Sequence, residues 1–360
     1  MSATLLSPQQ LTDFAAELDA LRQEQIESLG EADARYIRSI VHAVRHSELA
    51  GRTLLFFGWL PPLWLAGTTL LGLAKILENM ELGHNVMHGQ YNWMRDPGLH
   101  SDNYDWDTVC PAAQWKHSHN YMHHTYTNIV GKDRDVGYGI LRLFPEQPWY
   151  PAALLQPVYA AALALGFEWG VAFHDLEIDR CMNGQKSWQQ VWSELKSIAP
   201  KVRRQLLKDY VIFPLLAGPA FIPVLLGNLT ANLMRNLWAF GIIFCGHFTE
   251  ETQAYPIDVL KEERRGAWYY RQLLGSSNIE GTRLFHILSG NLSHQIEHHL
   301  FPEIPAWRYA AMAPEVKNIA DRYQLPYNTG RLGRQLFSTW KRIFTHALPG
   351  RHVPTLTTQE

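Results

Sequence analysis

The stretch WKHSHNYMHHTYTN, residues 115–128, decides how this chain is read. His119 and His123 are four residues apart, so on a helix they share one face, and His124 follows directly. Imidazoles at i and i+4 can address one common atom, and an adjacent imidazole can address a second one nearby. Two other stretches repeat the device. ELGHNVMHGQ at 81–90 carries His84 and His88, and HQIEHHLFP at 294–302 carries His294, His298 and His299. A lone His247 ends the last apolar segment.

A single histidine is more often a core or surface residue than a ligand, and one HxxxH pair is weak evidence. Four short segments holding His84, His88, His117, His119, His123, His124, His247, His294, His298 and His299 are different. One zinc takes about four ligands, so this set points to a pair of metals. Imidazole suits iron, zinc, copper and nickel alike, so spacing does not name the metal. The other histidines (42, 46, 100, 174, 286, 346 and 352) follow no pattern and read as structural.

Composition narrows the setting. Among 360 residues, Lys+Arg is 32 and Asp+Glu is 34, which leaves no basic footprint for nucleic acid. Three scattered cysteines form no CxxC pair, so neither a zinc-thiolate site nor a disulfide framework is indicated. Mean hydropathy is -0.20, an average that hides alternating apolar and polar blocks. No signal peptide is visible. Residues 8–47 read as amphipathic helices. Apolar blocks follow at 53–79 (divided by Pro61-Pro62), 151–173, 210–227 and 231–248. The GNLT link at 227–230 reads as the turn of a tight hairpin.

Basic residues before Tyr210 and in Lys261–Arg271 flank that hairpin, which places both flanks in the cytoplasm. The clusters build one site only if they share one side of the membrane. An odd number of spans between His124 and His294 would separate them. Residues 151–173, with Pro157 and Glu168, are therefore read as an interfacial helix. The expected architecture is all-α and integral to the membrane. Four transmembrane helices (about 48–60, 63–83, 210–227 and 231–248) carry a cytoplasmic helical cap that holds a histidine-rich di-metal site.

GHNVMHGQ, WKHSHNYMHHTYTN and NLSHQIEHHLFP resemble the three histidine boxes of integral-membrane fatty acid desaturases. The resemblance runs from about residue 40 to about residue 330. The QIEHHLFP form and the GKDRDVGYG run at 131–139 look like the bacterial acyl-CoA and acyl-lipid branch. It implies a desaturase domain over 48–330, which leaves the amphipathic helices as an amino-terminal segment over 1–47 and a carboxy-terminal tail over 331–360. Carried over residue by residue, the implied metal ligands are His84, His88, His119, His123, His124, His247, Gln295, His298 and His299. Gln295 stands where the family usually has histidine, and His294 is the rival ligand. His117 matches no ligand position.

The resemblance also implies two iron ions, dioxygen as co-substrate and two external electrons. Product would be a cis double bond in an acyl-CoA or acyl-lipid, with the ninth carbon a family-level expectation. Ligating imidazoles usually donate their other N–H to an acceptor, and the candidates are Glu81, Asp105, Asp107, Asp133, Asp135 and Glu297. Trp106, Trp115 and Tyr121 are candidate walls of an acyl channel. No haem-binding HPGG and no ferredoxin cysteine pattern is present, so a separate ferredoxin or flavin/iron–sulfur reductase is expected as donor. The expected location is a bacterial inner membrane, with the active site facing the cytoplasm. The nearest rival is a di-iron hydroxylase of alkane or lipid type on the same scaffold. A bis-histidine haem carrier would need paired histidines within the spans. A metal transporter would need ionisable residues at mid-span.

Overall fold

The structure is a computed structural model that describes residues 6–350. Ser7 accepts from the Gln10 N–H, and the Gln10 side chain accepts from the Ser7 N–H. This capping box starts α1, Pro8–Glu27. α2 (Glu31–Leu55) and α3 (Pro61–Leu77) form a hairpin turned over residues 56–60, with Pro61 at the first helical position. The two helices cross closely because Gly51 has no side chain: a Cβ there would lie 2.7 Å from the Leu71 nitrogen.

α3 does not stop at Leu77. It runs on as a π-helix through Glu78–His84 and then as α-helix to Met87. A second π-helix, Lys116–His123, lies between the short turns Ala112–Trp115 and His124–Tyr126, and we call this whole rod α4. α5 (Gln156–Leu165) and α6 (Phe167–His174) meet at Gly166. The rod from Pro151 to Leu165 is bent by 104° against α6. α7 (Trp188–Leu207) continues through a third π-helix, Lys208–Ile212, into Phe213–Leu216. α8 spans Phe221–His247.

The remaining elements form the cap: α9 (Arg265–Leu274), α10 (Gln295–Leu300), α11 (Tyr309–Arg322) and α12 (Leu332–Ala347). A parallel ladder pairs β1 (Asn278–Glu280) with β2 (Thr329–Arg331), Asn278 opposite Thr329. The fold is thus predominantly helical, and this ladder is the one sheet among the described residues. One buried cluster gathers Phe167, Phe240, Phe244 and Phe248 around α8. Another joins Phe14 and Leu18 of α1 to Tyr269, Phe301 and Tyr309 of the cap.

Three expectations change. First, GNLT is not a turn, because α8 runs straight through it. Gly227 packs against Leu55, where a Cβ would meet Leu55 Cδ2 at 2.6 Å. Asn228 donates to the Asp209 carbonyl at 2.5 Å. These small and polar residues serve helix contacts. The real turn lies before them, at Gly218 with φ 54° and Pro219. Second, among the described residues no single helix is long and apolar enough to cross a membrane. The bent pair Pro151–Leu165 and Phe167–His174 passes by length and composition only. Third, 331–360 is not merely a tail. Residues 332–347 form α12, with Thr339 and Ile343 buried, while His352 lies outside the described residues.

Candidate metal centre

Each histidine segment sits where a helix carries it to one place. α3 and its π extension deliver His84 and His88, α4 delivers His119, His123 and His124, the end of α8 delivers His247, and α10 delivers Gln295, His298 and His299. The rings pack at centroid distances of 4.6 Å for His84–His88, 4.7 Å for His88–His298 and 4.4 Å for His124–His299.

Two groups emerge. Donor atoms of His84, His88, His119 and His298 lie within 4.8 Å of one another, and so do those of His123, His247 and His299. His124 joins His298 and His299 and stands between the groups. Adjacent His298 and His299 thus fall one in each of these two groups and meet again in the group with His124. His119 and His123 do not address one common atom alone. They stack at 5.0 Å and contribute one each to the two four- and three-histidine groups, while sharing a third with Asp135. The π-helix beneath them changes the angular step per residue, which a spacing of four on an α-helix does not anticipate.

The donor set suits a metal. Buried ring nitrogens without a partner include Nε2 of His88 and His119, Nδ1 of His247 and both nitrogens of His124 and His298. His299 Nε2 and His247 Nε2 face each other at 3.1 Å. Burial first, and neighbouring imidazoles second, hold His88, His124, His298 and His299 well below the usual histidine value. The rings are thus neutral, the form that binds metal. Gln295 packs on Gly246, with its amide 2.9 Å from His247 Nε2 and its Oε1 unpartnered. His294 instead packs tilted against His286, with ring centroids 4.5 Å apart, and belongs to none of the groups. His117 stacks on Tyr121, also outside them.

Of the expected acceptors, Asp133 lies 3.0 Å from His123 Nδ1 and Asp135 lies 3.1 Å from His119 Nδ1. Burial alone would raise the Asp135 carboxyl, but His123, His119 and His174 outweigh it and hold it well below the usual range. Glu81 and Glu297 touch no metal-group ring. Glu81 accepts from Tyr36 (2.7 Å) and Asn291 (2.9 Å), and Glu297 accepts from Tyr327 (2.7 Å) and Asn278 (2.9 Å). Both carboxylates brace the loop and helix that carry the third cluster. Asp105 and Asp107 bond α7 instead, through Lys201 and Lys208.

Spacing missed several contacts. His299 Nδ1 meets Gln272 Oε1 at 2.9 Å, His84 Nδ1 meets Asn85 Oδ1 at 3.1 Å, and His174 Nε2 lies 3.4 Å from Asp135. Only the asparagine beside His84 was within reach of a local reading.

A cavity leads from His84, His119, His123 and His247 between Trp106, Trp115, Tyr138 and Phe167. Trp115 also stacks on His119 at 4.5 Å. Tyr121, expected as a wall, is 54% exposed and lies outside it.

The fatty acid desaturase family model matches residues 57–331. The chain belongs to the fatty acid desaturase family. It is 42% identical over 352 residues to the NADPH-dependent stearoyl-CoA 9-desaturase of Mycobacterium tuberculosis, covering 97% of this chain and 82% of that one. The sn-1 linoleoyl-lipid 6-desaturase of Synechocystis is 26% identical over 275 residues, 74% of this chain and 75% of its own. An acyl-lipid (7-3)-desaturase of Rebecca salina is 29% identical over 262 residues, 70% of this chain and 57% of its own. This desaturase is accordingly an oxidoreductase, and its buried histidines are compatible with a metal site.

Proposed function

We propose that this desaturase uses dioxygen and a di-iron centre to place a cis double bond in the chain of a long-chain acyl-CoA or acyl-lipid. The observation that carries the reading is the set of unpartnered, buried imidazole nitrogens, two of whose rings, His119 and His247, line a mostly apolar cavity. His84, His88, His119 and His298 would hold one iron. His123, His247 and His299 would hold the other, with His124 between them and Gln295 beside His247. Bound iron supplies, with dioxygen, two protons and two external electrons, the oxidant that takes one hydrogen from each of two neighbouring carbons and leaves two waters.

The chain's own residues do the rest. Asp133 and Asp135 accept from the Nδ1 side of His123 and His119, which fixes the tautomer and turns each Nε2 toward the centre. Trp106, Trp115, Tyr138 and Phe167 exclude water and hold the acyl chain so that one pair of carbons is presented. The name of the mycobacterial relative supports a saturated acyl-CoA of stearoyl size, the ninth carbon and NADPH as electron source. A separate ferredoxin or flavin/iron–sulfur reductase would relay the electrons.

The reading seats residues 48–330 as the catalytic unit in a bacterial inner membrane, its histidines toward the cytoplasm. Exposed Leu65, Leu215, Leu216 and Ile222 on the two hairpins support a lipid-facing surface.

The test is iron analysis of the purified protein, followed by product analysis with stearoyl-CoA, NADPH and a reductase. Two irons per chain and a mono-unsaturated acyl product are expected, and His123→Ala abolishes the product. Full activity in that variant would sink the metal assignment. A hydroxylated product would instead favour the hydroxylase.

A further inference from the structure

The cavity below the histidines ends on charge. His247, Ile243, Ala239 and Arg235 follow one another at intervals of four along α8, and all four line it. At about 1.5 Å per residue, Arg235 lies roughly 18 Å along the axis from His247. The Arg235 side chain is 3% exposed and pairs with Glu168. It also donates to Asn236 Oδ1 at 3.1 Å. Glu168 accepts from the Val109 N–H at 3.1 Å, and Asn236 donates to the Leu165 carbonyl at 2.8 Å.

This small network is a partition. Glu168 and Asn236 also line a second cavity, where Leu165, Trp169 and Leu229 face the polar Gln205, Asp209 and Asn232. Desolvating an ion pair is costly, and apolar residues of similar volume would serve packing as well or better. Buried ionisable groups at such depth mark function by default.

We propose that the Arg235–Glu168 pair, braced by Asn236, is the floor of the acyl slot and sets the longest chain segment accepted beyond the histidines. The inference rests on the desaturase reading above. A methyl end reaching the pair meets groups whose hydrogen bonds are already made, and it offers nothing in exchange for displacing them. Behind the floor lies space that a longer chain would fill once the pair is gone.

The test offers palmitoyl-, stearoyl-, arachidoyl- and behenoyl-CoA in competition and compares product ratios. Removing one partner alone would strand a buried charge, so the first variant is the double change Arg235→Ala with Glu168→Ala. It should raise the share of longer products, by about tenfold or more per added methylene. Ala239→Leu, one turn above the floor, leaves the pair intact and should shift the profile to shorter chains. It carries the test if the double variant fails to fold. An unchanged profile in either active variant overturns the floor. A wild type that desaturates none of the four chains would overturn the desaturase reading itself, and the floor with it.

Discussion

Gln295 stands where the family resemblance would place a histidine, and its surroundings explain how an amide can serve. Gly246 leaves the space in which Gln295 lies beside His247, and a Cβ there would come within 2.8 Å of Gln295 Cγ. Gln295→Leu keeps most of the volume and removes the oxygen. It should lower bound iron below two per chain and slow product formation about 10–100-fold. His294→Ala, by contrast, should keep both, since His294 packs against the His286 ring instead. Iron analysis and turnover check the pair, and equal results for both variants would defeat the assignment. Asp133 is the second case. Its two oxygens both lie 3.0 Å from His123 Nδ1, and Oδ2 also accepts from the Asn128 N–H at 2.7 Å. Asp133→Asn should free the His123 tautomer and cost about 10–100-fold in turnover. A thermal melt separates this from unfolding, and unchanged turnover would show that the orientation of His123 does not matter. At this scale the histidines were legible because their repeats are local. Gln272 was not, since it meets His299 from 27 residues away and glutamine has no signature spacing.

At the scale of elements, sequence periodicity found the helices and misplaced what lies within and between them. A π-helix adds a residue per turn without any residue type that announces it. All three described π-helices fall near polar networks: Glu78–His84, Lys116–His123 and Lys208–Ile212. The GNLT stretch misled for a related reason. Glycine and asparagine mark turns when nothing packs on them. Here Asn228 donates across to the Asp209 carbonyl at 2.5 Å, and Asn232, one turn on, donates to Asp209 Oδ2 at 3.2 Å and to the Tyr210 hydroxyl at 2.9 Å, so the amides bind a neighbouring helix instead of a turn. Glycine can be tested directly at the α2–α3 crossing. A Cβ at Gly51 would lie 2.7 Å from the Leu71 nitrogen and 2.9 Å from the Gly67 carbonyl, both backbone atoms that cannot swing aside. Gly51→Ala should cost about 1–3 kcal/mol through overpacking. A lowered melting temperature in detergent checks it, and a melt equal to wild type would mean that the crossing has slack.

Across the whole molecule, α1 and α2 are tied to the cap by charge. Arg308 Nε and Nη2 donate to the two Asp33 oxygens at 2.6 and 2.7 Å, and Trp307 Nε1 donates at 2.9 Å. Burial alone would raise the Asp33 carboxyl, but Arg308, the Gly30 N–H and Trp307 outweigh it and hold it below its usual value. Such a group stabilises above its unfolded value of about 4 and loses that contribution as pH falls through the folded value. Wild-type melting temperature should therefore drop on acidification below about pH 4, where Asp33→Asn, already lower at neutral pH, stays flatter. Parallel curves would remove the clamp. Membrane seating is the larger question, and average hydropathy is a poor guide to it. α8 carries Asn228, Asn232, Arg235 and Asn236, which depress its mean, yet all four are buried against protein. Its outward side chains include Ile222, Leu226, Leu229 and Leu237, each more than a third exposed. What a bilayer would meet is therefore more apolar than the helix read as a whole. The same holds for the first hairpin, where Leu49, Phe57, Trp59 and Leu65 face outward. We infer that lipid covers this band, and that the protein stays in the membrane pellet through alkaline carbonate and leaves it only with detergent. Release by carbonate alone would overturn the embedding while leaving the histidine chemistry intact, because the metal groups lie in the buried centre and not on that band.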